Sequence, residues 1–260
     1  MERAARSRVN AEARLRSPTR AATLRRVRAL VVLRQHHEAI TARVKADVAS
    51  TLGGDLSTES LADAATRAHV ALDAAGASAL ARGATPPACS AGCSYCCHVH
   101  ADATVPELLA ITRHLARTWS EAAQGALRER LALQASRVQH LSDEERWAVK
   151  IPCALLDDAG RCSIYAARPL RCRAFNASDA APCREAFAGS AEAVPARIPR
   201  LDRAHDAAEA GFDEALRDAG VSVEAYRLEI GLLVALEDPG AGARWVEGEE
   251  AFARARAPVR

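Results

Sequence analysis

The residues in this sequence best suited to chemistry are its eight cysteines. Cys89, Cys93, Cys96 and Cys97 fall in the stretch CSAGCSYCCHVH, and Cys153, Cys162, Cys172 and Cys183 follow at spacings of nine to eleven positions. None lies in the 88 residues before Cys89 or the 77 after Cys183. Cysteines used merely as small core hydrophobes would have no reason to avoid the flanks. Thiolates are soft ligands that suit zinc or iron–sulfur clusters and do not suit calcium or magnesium. Eight of them suffice for two tetrahedral zinc ions, or for one iron–sulfur cluster with ligands to spare. Spacing alone does not separate zinc from iron.

The adjacent pair constrains the centre further. Cys96 and Cys97 do not both face one small ion unless the backbone turns sharply between them. One is therefore a spare, or two metals lie close together, or a larger cluster is held. His98 and His100 read as neighbours of the site rather than as its ligands. Arg161, Arg168, Arg171, Arg173 and Arg184 crowd the second group of cysteines. Guanidinium groups there would offset the negative charge of a metal–thiolate centre.

An even cysteine count would also fit disulfides in a secreted chain. The N-terminal apolar run ALVVL (29–33) is too short for a signal h-region. The longest apolar run, IGLLVAL (230–236), is far below the ~20 residues that cross a bilayer. The expected compartment is the cytoplasm, where thiols stay reduced; no membrane partner is expected.

The elements that must position these thiols are mainly helices. Hydrophobic residues make up 49% of the chain but aromatics only 4%, so alanine, the best helix former, dominates the apolar count. Helices are expected over about 19–50, 57–82, 104–119, 120–139, 142–150, 181–189, 201–219, 222–237 and 242–255. Ser57 followed by Glu59 and Ser60 marks a helix start, and Thr104 with Glu107 and Ser142 with Glu145 have capping-box spacing. Pro86, Pro87 and Gly92 place the first cysteine group on an irregular loop. IPCALLDDAGRCSIY reads as a small β-hairpin over about 153–164, with Leu156 opposite Arg161 and Cys162 opposite Leu155. The fold class is thus mainly α, a helical domain around an irregular Cys-rich metal centre.

Charge is unevenly spread. Residues 1–34 hold ten arginines against Glu2 and Glu12. This arm is read as a poorly ordered extension, and contact with nucleic acid is its less favoured reading. Residues 35–260 are read as a single helical domain, with the cysteine module at about 86–190.

The segment GCSYCCH, followed by PCALLDDAGRCSIYAARPLRCRAF, resembles the bacterial YkgJ-type cysteine-cluster family, a zinc- or iron-chelating domain with a CxxCxxCC-type motif. The resemblance implies that Cys93, Cys96, Cys97, Cys153, Cys162 and Cys172 match the family's motif cysteines. It bears less on Cys183 and on Cys89, which stands three residues before the next cysteine where the signature has two. The cluster is also distantly similar to that of flagellin lysine N-methylases, which implies that such a module can support protein modification.

A thiolate-held iron–sulfur or zinc centre is therefore the expected function, with a methyltransferase-like protein-modifying enzyme as the alternative. The spacing of Cys89, Cys93, Tyr95 and Cys96 also occurs in radical S-adenosylmethionine enzymes, but the helical surroundings oppose their β/α barrel. A zinc module using the basic arm on nucleic acid is the weakest reading. No Gly-rich phosphate loop, nucleophile–base motif or H-E-x-x-H is present. The expected partners are a metal ion or cluster and a protein partner or substrate.

Overall fold

The computed structural model describes residues 20–257. The basic arm expected over 1–34 lies outside the described residues as far as position 19. Chain contacts divide at His36/His37. Helix α1 (Arg20–Ala49) begins in the first unit, where Leu30, Val31, Val32 and Leu33 are exposed, and continues into the second.

In the second unit α1 is followed by α2 (Thr58–Ala81), β1 (Asp102–Thr104), α3 (Val105–Thr118), α4 (Glu121–Val138) and α5 (Asp143–Val149). Then come α6 (Leu170–Ala174), α7 (Ala181–Phe187), α8 (Pro199–Asp218), β2 (Ala225–Arg227), α9 (Leu228–Glu237) and α10 (Ala241–Val246). Several helix starts are set by the local signals legible in the sequence. Ser57 Oγ accepts from Ser60 N at 3.1 Å and Ser60 Oγ accepts from Ser57 N at 3.0 Å. Glu107 closes the start of α3 on Thr104 N at 2.8 Å, and Glu145 closes that of α5 on Ser142 N at 2.7 Å. Each reciprocal pair satisfies donors that a helix start otherwise leaves unbonded.

Two apolar clusters carry the frame. One joins the second half of α1 to α2 and α8 through Val44, Val48, Leu61, Leu72, Phe212 and many alanines. Small side chains permit close helix approach there: a Cβ added at Gly211 would stand 2.5 Å from Thr41 O and 2.8 Å from Val44 Cβ. The other cluster joins α3, α4 and α9 through Leu108, Ile111, Leu115, Leu127, Leu131 and Leu232. Helix α2 packs on both α3 and α8, and so links the clusters.

The β structure differs from the expectation in detail. Antiparallel β1 and β2 pair Asp102 with Arg227, Ala103 with Tyr226 and Thr104 with Ala225. Each strand runs straight into a helix, so this short sheet aligns the starts of α3 and α9. Residues 222–227 are therefore not helical, and α9 begins six residues after Ser222. Three-residue strands are too short to show the alternation that marks a strand in sequence. The segment expected as one last helix over 242–255 is instead α10, a break, and a 3-10 turn at Ala253–Ala255.

The chain does reverse over 153–164, but its register is shifted by one residue. The bridge pairs Leu156 with Cys162 instead of Leu156 with Arg161. Asp157 accepts at its side chain from Ala159 N (2.9 Å) and Arg161 N (2.8 Å), which closes a larger turn than a four-residue loop allows.

Candidate metal centre

All the cysteines except Cys183 line a single cavity of about 890 Å³. They reach it from separate segments. Cys89 and Cys93 lie on the loop after α2, and Cys96 and Cys97 on a 3-10 turn at Tyr95–His98. Cys153 and Cys162 flank the Asp157 turn, and Cys172 is on α6. All eight thiols are free.

The loops are locked together by their backbones. Cys153 N donates to Cys97 O at 2.7 Å, which joins the two cysteine groups directly. Cys97 N donates to Ser94 O at 2.9 Å, the sharp turn that the adjacent pair requires. Gly92 (φ 87°) and Gly160 (φ 71°) occupy left-handed conformations that side chains disfavour. A Cβ on Gly160 would stand 3.7 Å from Gly92 O, so the Asp157 turn rests on the first cysteine loop. Despite the shifted register, Cys153 and Cys162 both line the cavity.

Two buried carboxylates beneath the site hold cysteine-bearing segments. Glu107, in the first turn of α3, accepts from Leu170 N at 2.8 Å and so anchors the start of α6, which carries Cys172. Glu229, in the first turn of α9, accepts from Ala154 N at 2.8 Å, beside Cys153. Glu229 is also paired with Arg146; their side chains are 4% and 1% exposed. A helix start favours a carboxylate, and the β1–β2 sheet sets these two starts side by side. In the sequence Glu107 is legible only as a cap, and Glu229 is not singled out by any motif. Its signal was a lone acid in the otherwise apolar run LEIGLLVAL.

His100 is committed elsewhere. Its Nδ1 lies 3.1 Å from Arg146 Nη1, and its Nε2 lies 3.0 Å from Leu141 O. The carbonyl can only accept, so Nε2 carries the proton and Nδ1 accepts from Arg146. Burial and the charges of Arg227 and Arg146 push the ring down to about 4, so it stays neutral near pH 7. His98 holds Ser94 O through Nδ1 at 3.0 Å. Both histidines thus support the loop.

Burial and neighbouring thiols disfavour the ionised form of most of these cysteines. Cys97 donates to Cys96, which together with nearby Arg168 brings Cys96 down to about 7 against its burial. The same bond and burial push Cys97 up. Burial is the first cause raising Cys93, Cys153, Cys162, Cys172 and Cys183, and Cys172 reaches about 12. Neighbouring thiols add to the rise at Cys93, Cys172, Cys183 and Cys153, where Glu229 contributes more. A cation among them would reverse this balance, because a coordinated thiol gives up its proton.

The donor set suits a soft metal. The lining carboxylates are already paired: Asp73 with Arg173, Asp102 and Asp143 with Arg227, and Asp157 with Arg161. Thiols therefore remain as the principal uncommitted donors. They surround the cavity more than they converge: among the described residues, no three His, Cys, Asp or Glu side chains stand close enough to form a ready-made site for one ion. Of the arginines expected to balance the centre, Arg161, Arg168, Arg171 and Arg173 line the cavity and Arg184 does not. Arg168 stacks on Tyr165, 4.0 Å from the ring centroid, and acts electrostatically on Cys96, Cys162 and Cys172.

Residues 88–193 match the family CxxCxxCC, described as a "putative zinc- or iron-chelating domain". No curated protein and no solved structure matches the chain. No helix among the described residues is long and apolar enough to cross a membrane.

Proposed function

We propose that the chain, whose residues 88–193 match the CxxCxxCC family, holds iron through its cysteine thiolates, as an iron–sulfur cluster. The observation that carries this reading is that seven cysteines from separate segments line one cavity. Their number supports more than a single ion: a tetrahedral zinc site takes four sulfurs at about 2.3 Å from one point, and seven cysteines line this cavity. The adjacent Cys96 and Cys97 suit such a centre.

Bound there, a cluster would supply electron transfer or a Lewis-acidic iron. The chain's own residues would orient and insulate it. Glu107 and Glu229 fix the loops of Cys172 and Cys153, and Arg168 offsets thiolate charge. Neutral His100 ties Arg146 to the first cysteine loop.

Anaerobic purification followed by metal and sulfide analysis tests the proposal. The expected result is a coloured protein with iron and acid-labile sulfide, lost in Cys96→Ser and Cys162→Ser. A colourless zinc-loaded protein would replace the cluster with structural zinc. A folded, metal-free chain with eight titratable thiols would end both readings.

A second reading has its own support. The cavity extends past the thiols to Gly76, Ala77, Leu80, Phe175 and Leu201, and its volume falls in the range of about 300–1,000 Å³ that takes a small organic molecule. A metal-dependent protein-modifying enzyme, methyltransferase-like, would use that wall for its cosubstrate. Saturable S-adenosylmethionine binding to the loaded protein is the outcome it requires.

A further inference from the structure

Cys183 is the one cysteine that does not line the cavity, and the segment bearing it is built unlike the rest. Residues 178–196 leave the domain and return to the same point. Ser178 N donates to Ala196 O at 2.9 Å, and Ser178 Oγ donates to the same carbonyl at 3.1 Å. The base beneath is firm. Asn176 is buried, accepts from Ile198 N at 2.9 Å and donates to Asp202 at 2.8 Å, while Ala88 N donates to Ala177 O at 2.9 Å.

Between these anchors no residue from 178 to 196 is buried. Its hydrogen bonds are internal or close its base, as in Ala181 N to Asp179 and Ser190 N to Glu185 O. One ring fastens it to the body. Phe187, the last residue of α7, lies 4.7 Å from His98 edge-on, 5.5 Å from Tyr95 and 5.9 Å from Trp147, centroid to centroid. Lys150 Nζ stands over both Trp147 (3.3 Å) and Phe187 (5.1 Å). Tyr95 and His98 bound the 3-10 turn of Cys96 and Cys97. The ring therefore docks α7 on that turn, where Cys89, Cys93 and Cys96 act electrostatically on Cys183.

We propose that residues 178–196 form a strap that opens as a unit about its closed base, and that Phe187 positions Cys183 by docking the strap on the turn of Cys96 and Cys97. A segment without buried residues is drawn from the low-stability end of a fold and opens locally before the domain unfolds. Each aromatic contact adds to holding it shut. The consequence for the metal, that Cys183 is the last thiolate to join and the first to leave, rests on the thiolate-centre reading; the docking does not.

The experiment is pulsed iodoacetamide labelling of the reduced, metal-free full chain, with each cysteine read by mass spectrometry. Phe187→Ala should raise labelling at Cys183 about tenfold relative to wild type, while Cys153 and Cys172 keep their rates and helical circular dichroism is unchanged. Trp147→Ala, which removes a ring that Phe187 packs against, should reproduce the pattern, and Phe187→Tyr should restore slow labelling. Unchanged Cys183 labelling in both alanine variants would overturn the proposal, as would equal acceleration of all eight cysteines. A wild-type chain that binds no metal would end the ligand role of Cys183 while leaving the docking result readable.

Discussion

Glu229 illustrates how one side chain can serve the centre without touching a metal. It joins Arg146, and through it His100, to the backbone beside Cys153. Arg146 Nε and Nη2 have no hydrogen-bond partner, so this cation depends heavily on the single carboxylate. Glu229→Gln should therefore cost on the order of 3–5 kcal/mol, the usual cost of stranding a buried charge. Arg146→Met on the same background should recover part of the loss, because it removes that charge. Urea denaturation of Glu229→Gln, Arg146→Met and the double variant checks both statements. Additive losses would mean that the two residues act independently.

At the level of elements, Glu107 couples α3 to α6 and gives stability a pH dependence. Burial pushes its carboxyl up. The nearby His69 ring and the backbone donors of Thr104 and Leu170 outweigh that, and hold it below the ordinary value. His69 Nε2 stands 3.9 Å from Oε1, too far for a hydrogen bond, so the two backbone bonds are the firm contacts. A carboxyl lowered on folding adds stability that is fully present above its unfolded value of about 4.3. That stability is lost as pH falls through the folded value. The melting-temperature gap between wild type and Glu107→Gln should be widest near neutral pH and should close on acidification below about pH 4. A gap that is constant with pH would show that the charge contributes nothing.

Across the whole molecule, frame and centre are largely separate. Neither apolar cluster has a cysteine among its buried members; only Cys153 and Cys162 pack against the second from its edge. Chelating the metal should accordingly leave most helical circular dichroism intact. Protease cleavage should then concentrate in the cysteine loops and the strap, read as new termini between 84 and 101 or between 150 and 196. Loss of all helical signal on chelation would mean instead that the metal nucleates the entire fold, as in domains whose metal-binding energy is their folding energy.

The sequence by itself determined the helical class and the capped starts of α2, α3 and α5, and it offered eight thiols as candidate ligands. Each follows from short-range physics: helix propensity, a reciprocal hydrogen bond across three residues, and the softness of sulfur. The match over residues 88–193 agrees with that reading. Tertiary structure decided what depends on partners distant in sequence. The β1–β2 pairing joins positions 123 residues apart at its central pair, Ala103 and Tyr226. The register of the Asp157 turn was set by one carboxylate accepting from two backbone N–H groups, and a hydrophobic pattern carries no trace of that choice. Glu229 and Phe187 looked ordinary in sequence because their roles exist only once α9 lies under Cys153 and α7 lies on the turn of Cys96. Which residues are candidate ligands was local information; which of them meet, and what holds them there, came from long-range contact alone.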